Sequence, residues 1–147
     1  MRIYLDVCCL NRPFDDQRDD RIRLESEAVL IILERCLNEW RMIGSEVVDY
    51  EISKIPDSER REKVGILASL AKEKVILEDE IIERAKEIEK LGIKAMDALH
   101  VACAEKSADV MLTTDASLIK KVKENRDKIK VRVMNPVKFV EEVLRIE

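Results

Sequence analysis

Apolar residues fall in short runs that alternate with longer stripes of helical period along the chain. Ile3-Tyr4-Leu5 is an apolar run closed by Asp6 and predicts an opening strand. Residues 11–20 hold Pro13, four aspartates and two arginines and predict a loop. Residues 21–39 predict a helix with Leu24, Ala28, Ile31, Ile32, Cys36 and Leu37 on its apolar face. Residues 40–44 predict a second strand, punctuated by Gly44 and Ser45. Residues 46–54 predict a helix facing inward through Val47, Val48 and Ile52. Pro56 stops it, and Asp57 or Ser58 caps another helix that runs to about 71. Residues 74–77 predict a third strand, and 80–91 an amphipathic helix with Gly92 at its C-cap. Residues 95–106 are apolar nearly all round, as a buried helix should be. Val110-Met111-Leu112 predicts a buried strand, and residues 115–125 a helix. Ile129, Val131 and Val133 alternate and predict an edge strand over 129–133. Asn135 caps a last helix with Pro136 at its first position.

Strands alternating with helices predict an α/β protein: a three-layer α/β/α fold with a central parallel sheet of about five strands. With no repeat, linker or low-complexity segment, residues 1–147 read as one domain. In such sheets ligands bind beyond the carboxyl ends of the strands. Asp6 and Asp115 fall on that edge, and Asp97 lies at the start of the buried helix. Capping is the default reading of each aspartate, because Asp is a favoured N-cap. Convergence of three on one edge is harder to dismiss, since clustered carboxylates are costly unless a cation sits among them. Mg2+ or Mn2+ is the usual answer, because hard cations take oxygen ligands. A fourth acid is expected from the helix after the second strand, where Glu46, Asp49 and Glu51 are candidates; the helix dipole alone accounts for Glu46.

Composition narrows the chemistry. A net charge of −4 and pI near 5.3 argue against gripping nucleic acid by bulk electrostatics, without excluding a nuclease whose bound ions invert the local field. Aromatics are 3% of residues, so base stacking is not a major binding mode. The charged content of 39% fits either a thermophilic protein or a helix-rich one with a well-solvated surface. Cys8, Cys9, Cys36 and Cys103 lack zinc-type spacing and read as small buried residues in a reducing cytoplasm. Arg2 and Asp6 interrupt the start, so no signal peptide is expected, and no apolar run approaches membrane-spanning length. His100, the one histidine, reads first as a packed side chain and second as a group near substrate, so Ser/His/Asp catalysis is poorly supported.

Four motifs together resemble a PIN domain, the nuclease domain of VapC-type toxins and of several RNA-processing factors. They are Ile3-Tyr4-Leu5-Asp6, Ser45 followed by Glu51-Ile52, Asp97-Ala98-Leu99-His100-Val101-Ala102, and Leu112-Thr113-Thr114-Asp115. The resemblance spans nearly the whole chain. It implies a metal-dependent ribonuclease whose acids fall on Asp6, Glu51, Asp97 and Asp115, both as metal ligands and as catalytic residues. Spacing from Ser45 favours Glu51 over Glu46 as the family glutamate. Thr114 matches a hydroxyl or amide position beside the last acid. One or two ions, Mg2+ or Mn2+, would activate water for in-line attack on a phosphodiester. The implied partners are RNA, a small antitoxin protein and a second copy of the chain in a homodimer.

The chain departs from the family at Cys8, where many members have a small polar residue, and in the segment that follows. Asn11 and Arg12 leave from the metal edge and are candidates for phosphate contact; the competing reading is a surface turn held by local hydrogen bonds. Lys120 belongs to a basic cluster with Lys121, Lys123, Arg126, Lys128, Lys130 and Arg132, which reads either as a solvated face or as a phosphate-tracking rim. The alternative function is a catalytically weak domain of the same fold that binds RNA or protein. A haloacid-type phosphatase wants a second Asp where Cys8 stands, and a phosphoaspartate receiver wants acids ahead of the first-strand Asp, which residues 1–5 lack.

Overall fold

Three short apolar runs at the centre of the sheet set the architecture. The structure, a computed structural model, describes residues 1–146. Its strands are β1 (Arg2–Leu5), β2 (Arg41–Ser45), β3 (Glu73–Val75), β4 (Val110–Leu112) and β5 (Arg132–Met134). They form one parallel sheet in the order β3-β2-β1-β4-β5. The helices among the described residues are α1 (Val7–Asn11), α2 (Asp20–Cys36), α3 (Glu46–Ser53), α4 (Ser58–Ala68), α5 (Asp79–Glu89), α6 (Ala95–Ser107), α7 (Ala116–Glu124) and α8 (Pro136–Ile146), with a 3-10 turn over Arg12–Phe14. The architecture is three-layer α/β/α, as the alternation predicts. Ile3, Tyr4 and Leu5 of β1 and all of β4 are buried, as strands covered on both faces must be.

Parallel pairing puts every strand's C-terminal end on one edge. At that edge each central strand hands over directly to a capped helix. Asp6 follows β1 and accepts from Val7 N, while its own N–H donates to Leu112 O at 2.9 Å and extends the sheet by one bond. Ser45 ends β2 and accepts from Val48 N. Asp115 lies three residues beyond β4 and accepts from Leu118 N. Chain direction and local capping thus deliver Asp6, Ser45 and Asp115 to the same place. Gly92 adopts φ +92°, the left-handed conformation its expected place after α5 requires.

Three expectations are corrected. The segment 11–20 is less of a loop than its composition suggests. Val7–Asn11 forms a helix and Arg12–Phe14 a 3-10 turn, both stapled by side chains. Arg60 bonds Asn11 Oδ1, Asp15 and the Phe14 carbonyl, while Arg12 bonds Asp15 and Glu25. On α2 the buried face is rotated from the expected stripe. Val29, Ile32 and Leu33 are buried with Glu25, whereas Leu24 and Leu37 are more than half exposed. Glu25, at 1% exposure, belongs to that inward face because Arg12 and Arg21 pair with it there, whereas periodicity counts it as outward. The fifth strand starts three residues later than predicted. Ile129 is held in a turn by Asn125 O, so only Arg132–Met134 align with β4. No described helix is long and apolar enough to cross a membrane.

Candidate metal centre

The site is assembled from four elements that meet at the carboxyl edge of the sheet. Asp6, 7% exposed, sits between β1 and α1. One of its oxygens accepts from Val7 N at 2.8 Å, and the other accepts from the Thr113 hydroxyl at 2.8 Å. Thr113 Oγ1 also accepts from Asp115 N at 3.1 Å, so a single hydroxyl fixes the spacing of two of the acids. Asp115 is exposed, and its Oδ1 accepts from Leu118 N at 3.1 Å.

Asp97 lies in the first turn of α6, where a negative charge suits the helix dipole. It is not the N-cap, a position held by Lys94. Its carboxyl is half-buried, and its pKa is raised by burial, then by the charges of Asp6 and Asp115, with His100 opposing. Asp97 therefore feels Asp6, Asp115, Glu51 and His100 as one electrostatic cluster. A cavity of about 90 Å³ opens beside Asp97 and Asp115, lined also by Lys94 and Lys121. Lys121 Nζ is held by the Gly92 carbonyl at 2.6 Å, whereas Lys120 is exposed on α7.

Glu51, in the second turn of α3, is the acid that α3 brings to the cluster. Its Oε1 bonds His100 Nε2, which is also 3.7 Å from Asp6 Oδ1. Glu46 turns away and accepts from Leu77 N at 2.6 Å, and Asp49 pairs with Lys74. His100 is fully buried one helical turn after Asp97. Its Nδ1 is 2.6 Å from Tyr4 Oη, and Tyr4 Oη is 2.7 Å from Ser45 Oγ. Burial opposes a charge on the ring, but the hydrogen bond to Glu51 and the charges of Asp6 and Asp97 raise its pKa overall. Among the described residues, one atom each of Asp6, Glu51 and His100 lie within 4.8 Å of one another, a span one cation can bridge.

The PIN domain family description matches residues 3–125, most of the chain. The chain belongs to the PIN domain family. Solved structures share the fold. FitAcB from Neisseria gonorrhoeae is 16% identical with a TM-score of 0.61, covering 91% of this chain and 97% of its own. VapBC2 from Rickettsia felis, solved bound to a DNA fragment from its promoter, is 19% identical with a TM-score of 0.58, covering 92% and 98%. FitAB bound to an IR36 DNA fragment is 17% identical with a TM-score of 0.59, covering 92% and 95%. No curated protein matches the sequence.

Within this PIN domain the remaining expected residues are placed as follows. Asn11 ends α1, donates to Val7 O and accepts from Arg60. Arg12 is engaged by Asp15 and Glu25. Thr114 is buried and uses its backbone, its N–H reaching Cys8 Sγ at 3.3 Å and its carbonyl accepting from Arg21. Thr113, Tyr4 and Ser45 fall inside the sequence motifs, which give them no role of their own. One signal was available for Tyr4: a phenol in a central strand needs a buried hydrogen-bond partner, and a histidine on a buried helix can supply it.

Proposed function

We propose that this PIN domain is a divalent-metal-dependent endoribonuclease that hydrolyses RNA phosphodiester bonds. The observation that carries this reading is the convergence of Asp6, Glu51, Asp97 and Asp115 on one sheet edge, with Asp97 pushed toward its neutral form by burial and by its neighbours' charges. A cation relieves that repulsion, and the donor set of carboxylate oxygens suits Mg2+ or Mn2+. Asp6, Glu51, Asp97 and Asp115 would hold it. When bound, such an ion lowers the pKa of water and offsets charge on the phosphate.

The chain's own residues do the rest. Thr113 and Val7 N fix both oxygens of Asp6, and His100 fixes Glu51. Exposed Asp115 and the cavity beside Asp97 leave the cluster open to a phosphate on that side. Lys121 lines that cavity and supplies positive charge there, and Lys120, Asn11, Arg12 and Thr114 complete the set assigned to substrate contact in this reading. No side-chain nucleophile is required: the Tyr4 and Ser45 hydroxyls are buried and bonded to one another.

The fold shared with FitAcB and VapBC2 supports a toxin of the VapC type with a small antitoxin protein as partner, and we propose a homodimer as its assembly. The free thiols of Cys8, Cys9, Cys36 and Cys103 support a reducing cytoplasm as its setting.

The test is cleavage of a labelled mixed-sequence RNA with Mn2+ or Mg2+ by the wild type, Asp6→Asn and Asp97→Asn. Cleavage abolished by EDTA and by both substitutions is the expected result. Cleavage that survives both substitutions assigns the activity elsewhere. A wild type that binds RNA but stays inert with either ion replaces this reading with that of a catalytically weak binding module.

A further inference from the structure

We propose that His100 Nε2 is itself a ligand of the cation, so that the site combines one imidazole nitrogen with its carboxylates and selects first-row transition ions over Mg2+. This rests on the metal-dependent reading above and specifies it: the resemblance assigns carboxylates only.

Position is the first argument. His100 has no exposed surface, yet its Nε2 faces Glu51 Oε1 and lies 3.7 Å from Asp6 Oδ1, so the ring is aimed between two of the acids. These three ligand atoms fall within 4.8 Å of one another. A nitrogen buried at that point is either a donor to a carboxylate or a ligand beside it.

Support behind the ring is the second. Histidines that bind metals almost always donate their other ring N–H to an outer partner that sets the tautomer and the ring plane. Here Tyr4 Oη stands 2.6 Å from Nδ1, edge-on to the ring, and is backed by Ser45 Oγ at 2.7 Å. Ser45 is in turn fixed by Val48 N at 3.0 Å and neighbours Cys103.

The third argument is that this relay satisfies both tautomers. Without a cation, Nε2–H donates to Glu51, Tyr4 donates to Nδ1, and Ser45 donates to Tyr4. With one, the ring proton sits on Nδ1 and donates to Tyr4 Oη, Tyr4 donates to Ser45 Oγ, and Ser45 donates to Cys103 Sγ. Hydroxyls serve as donor or acceptor, so freeing the Nε2 lone pair leaves no buried group unpaired.

Selectivity follows from donor chemistry. Mg2+ prefers oxygen and keeps its waters, whereas affinity for a mixed nitrogen and oxygen site rises from Mn2+ through Co2+ to Ni2+. The test loads the full chain with Mn2+ and measures electron spin-echo modulation, while calorimetry compares Co2+ with Mg2+ in the wild type and in His100→Gln. The glutamine keeps a polar side chain at the site but offers no ring nitrogen. The expected result is a ¹⁴N coupling on Mn2+ in the wild type that is lost in the variant. Co2+ affinity should fall by at least about tenfold, and Mg2+ affinity by much less. Bound Mn2+ without a ¹⁴N coupling overturns the proposal and leaves the carboxylate nuclease standing. An unchanged Co2+ to Mg2+ ratio in the variant also overturns it. If the variant does not fold, the wild-type spectrum alone decides. A wild type that binds no Mn2+ refutes both this inference and the function it rests on.

Discussion

Tyr4 Oη lies 2.6 Å from His100 Nδ1, and both side chains are fully buried. A residue of the first strand thereby sets the orientation of a ring on the sixth helix, and that ring holds Glu51. Tyr4→Phe removes the partner and leaves Nδ1 facing a hydrocarbon edge. An unpaired buried polar group costs about 1–3 kcal/mol, which chemical denaturation should register. Loss of an outer partner should also reduce divalent-ion affinity about 10–100-fold in calorimetry.

The Thr113 hydroxyl is bonded at once to Asp6 Oδ2 and Asp115 N. Thr113→Val keeps shape and burial but frees one oxygen of Asp6. RNA cleavage is expected to fall about 10–100-fold, while the melting temperature moves by only a few degrees. Unaltered cleavage at saturating ion would show that Asp6 needs no such support.

Glu25 is 1% exposed and is shared by Arg12, Arg21 and Asn135. Arg12→Ala leaves this buried carboxylate with its weaker partners. Removing one partner of a buried pair costs about 3–5 kcal/mol, and the lower end applies because Arg21 and Asn135 remain. At about 2–4 °C per kcal/mol, a loss near 10 °C is expected in thermal unfolding. A variant that melts like the wild type but binds RNA poorly would instead assign Arg12 to phosphate contact.

Asp97 predicts a pH dependence whose sign is fixed by linkage. Its pKa is raised in the folded state by burial and by Asp6 and Asp115, so the native protein binds more protons than the unfolded chain. The contribution of Asp97 to the stability of the ion-free protein should therefore fall as pH rises from the ordinary carboxylate range through the raised value, and the raised pKa of His100 continues the fall above it. Thermal melts in EDTA should show this slope, and saturating Mn2+ should abolish it. Asp97→Asn should flatten the slope without any ion.

Much of this was legible in the chain. Ile3-Tyr4-Leu5 and Val110-Met111-Leu112 announce buried parallel strands, and the aspartates that follow them must stand on one edge because parallel strands end together. Capping chemistry places Asp6 and Asp115 within a residue or two from local sequence alone. The segment 11–16 already looks ordered in sequence, but the partners that order it, Arg60 and Glu25, are not legible because they lie elsewhere in the chain. The buried face of α2 differs for the same reason: periodicity counts Glu25 as polar and outward, while two arginines pair with it and an asparagine donates to it inside.

The sequence by itself determined the order of elements, the parallel sheet and the edge on which the acids gather, since these follow from side-chain period, chain direction and caps. Only the tertiary structure decided which helix acid joins them, that Thr113 ties Asp6 to Asp115, and that Tyr4, Ser45 and His100 form one buried chain behind Glu51. Apart from the Thr113–Asp115 bond, those contacts join residues 41 to 107 positions apart. Hydrogen bonds at that separation depend on how helices dock against the sheet to within an ångström, which no local pattern encodes.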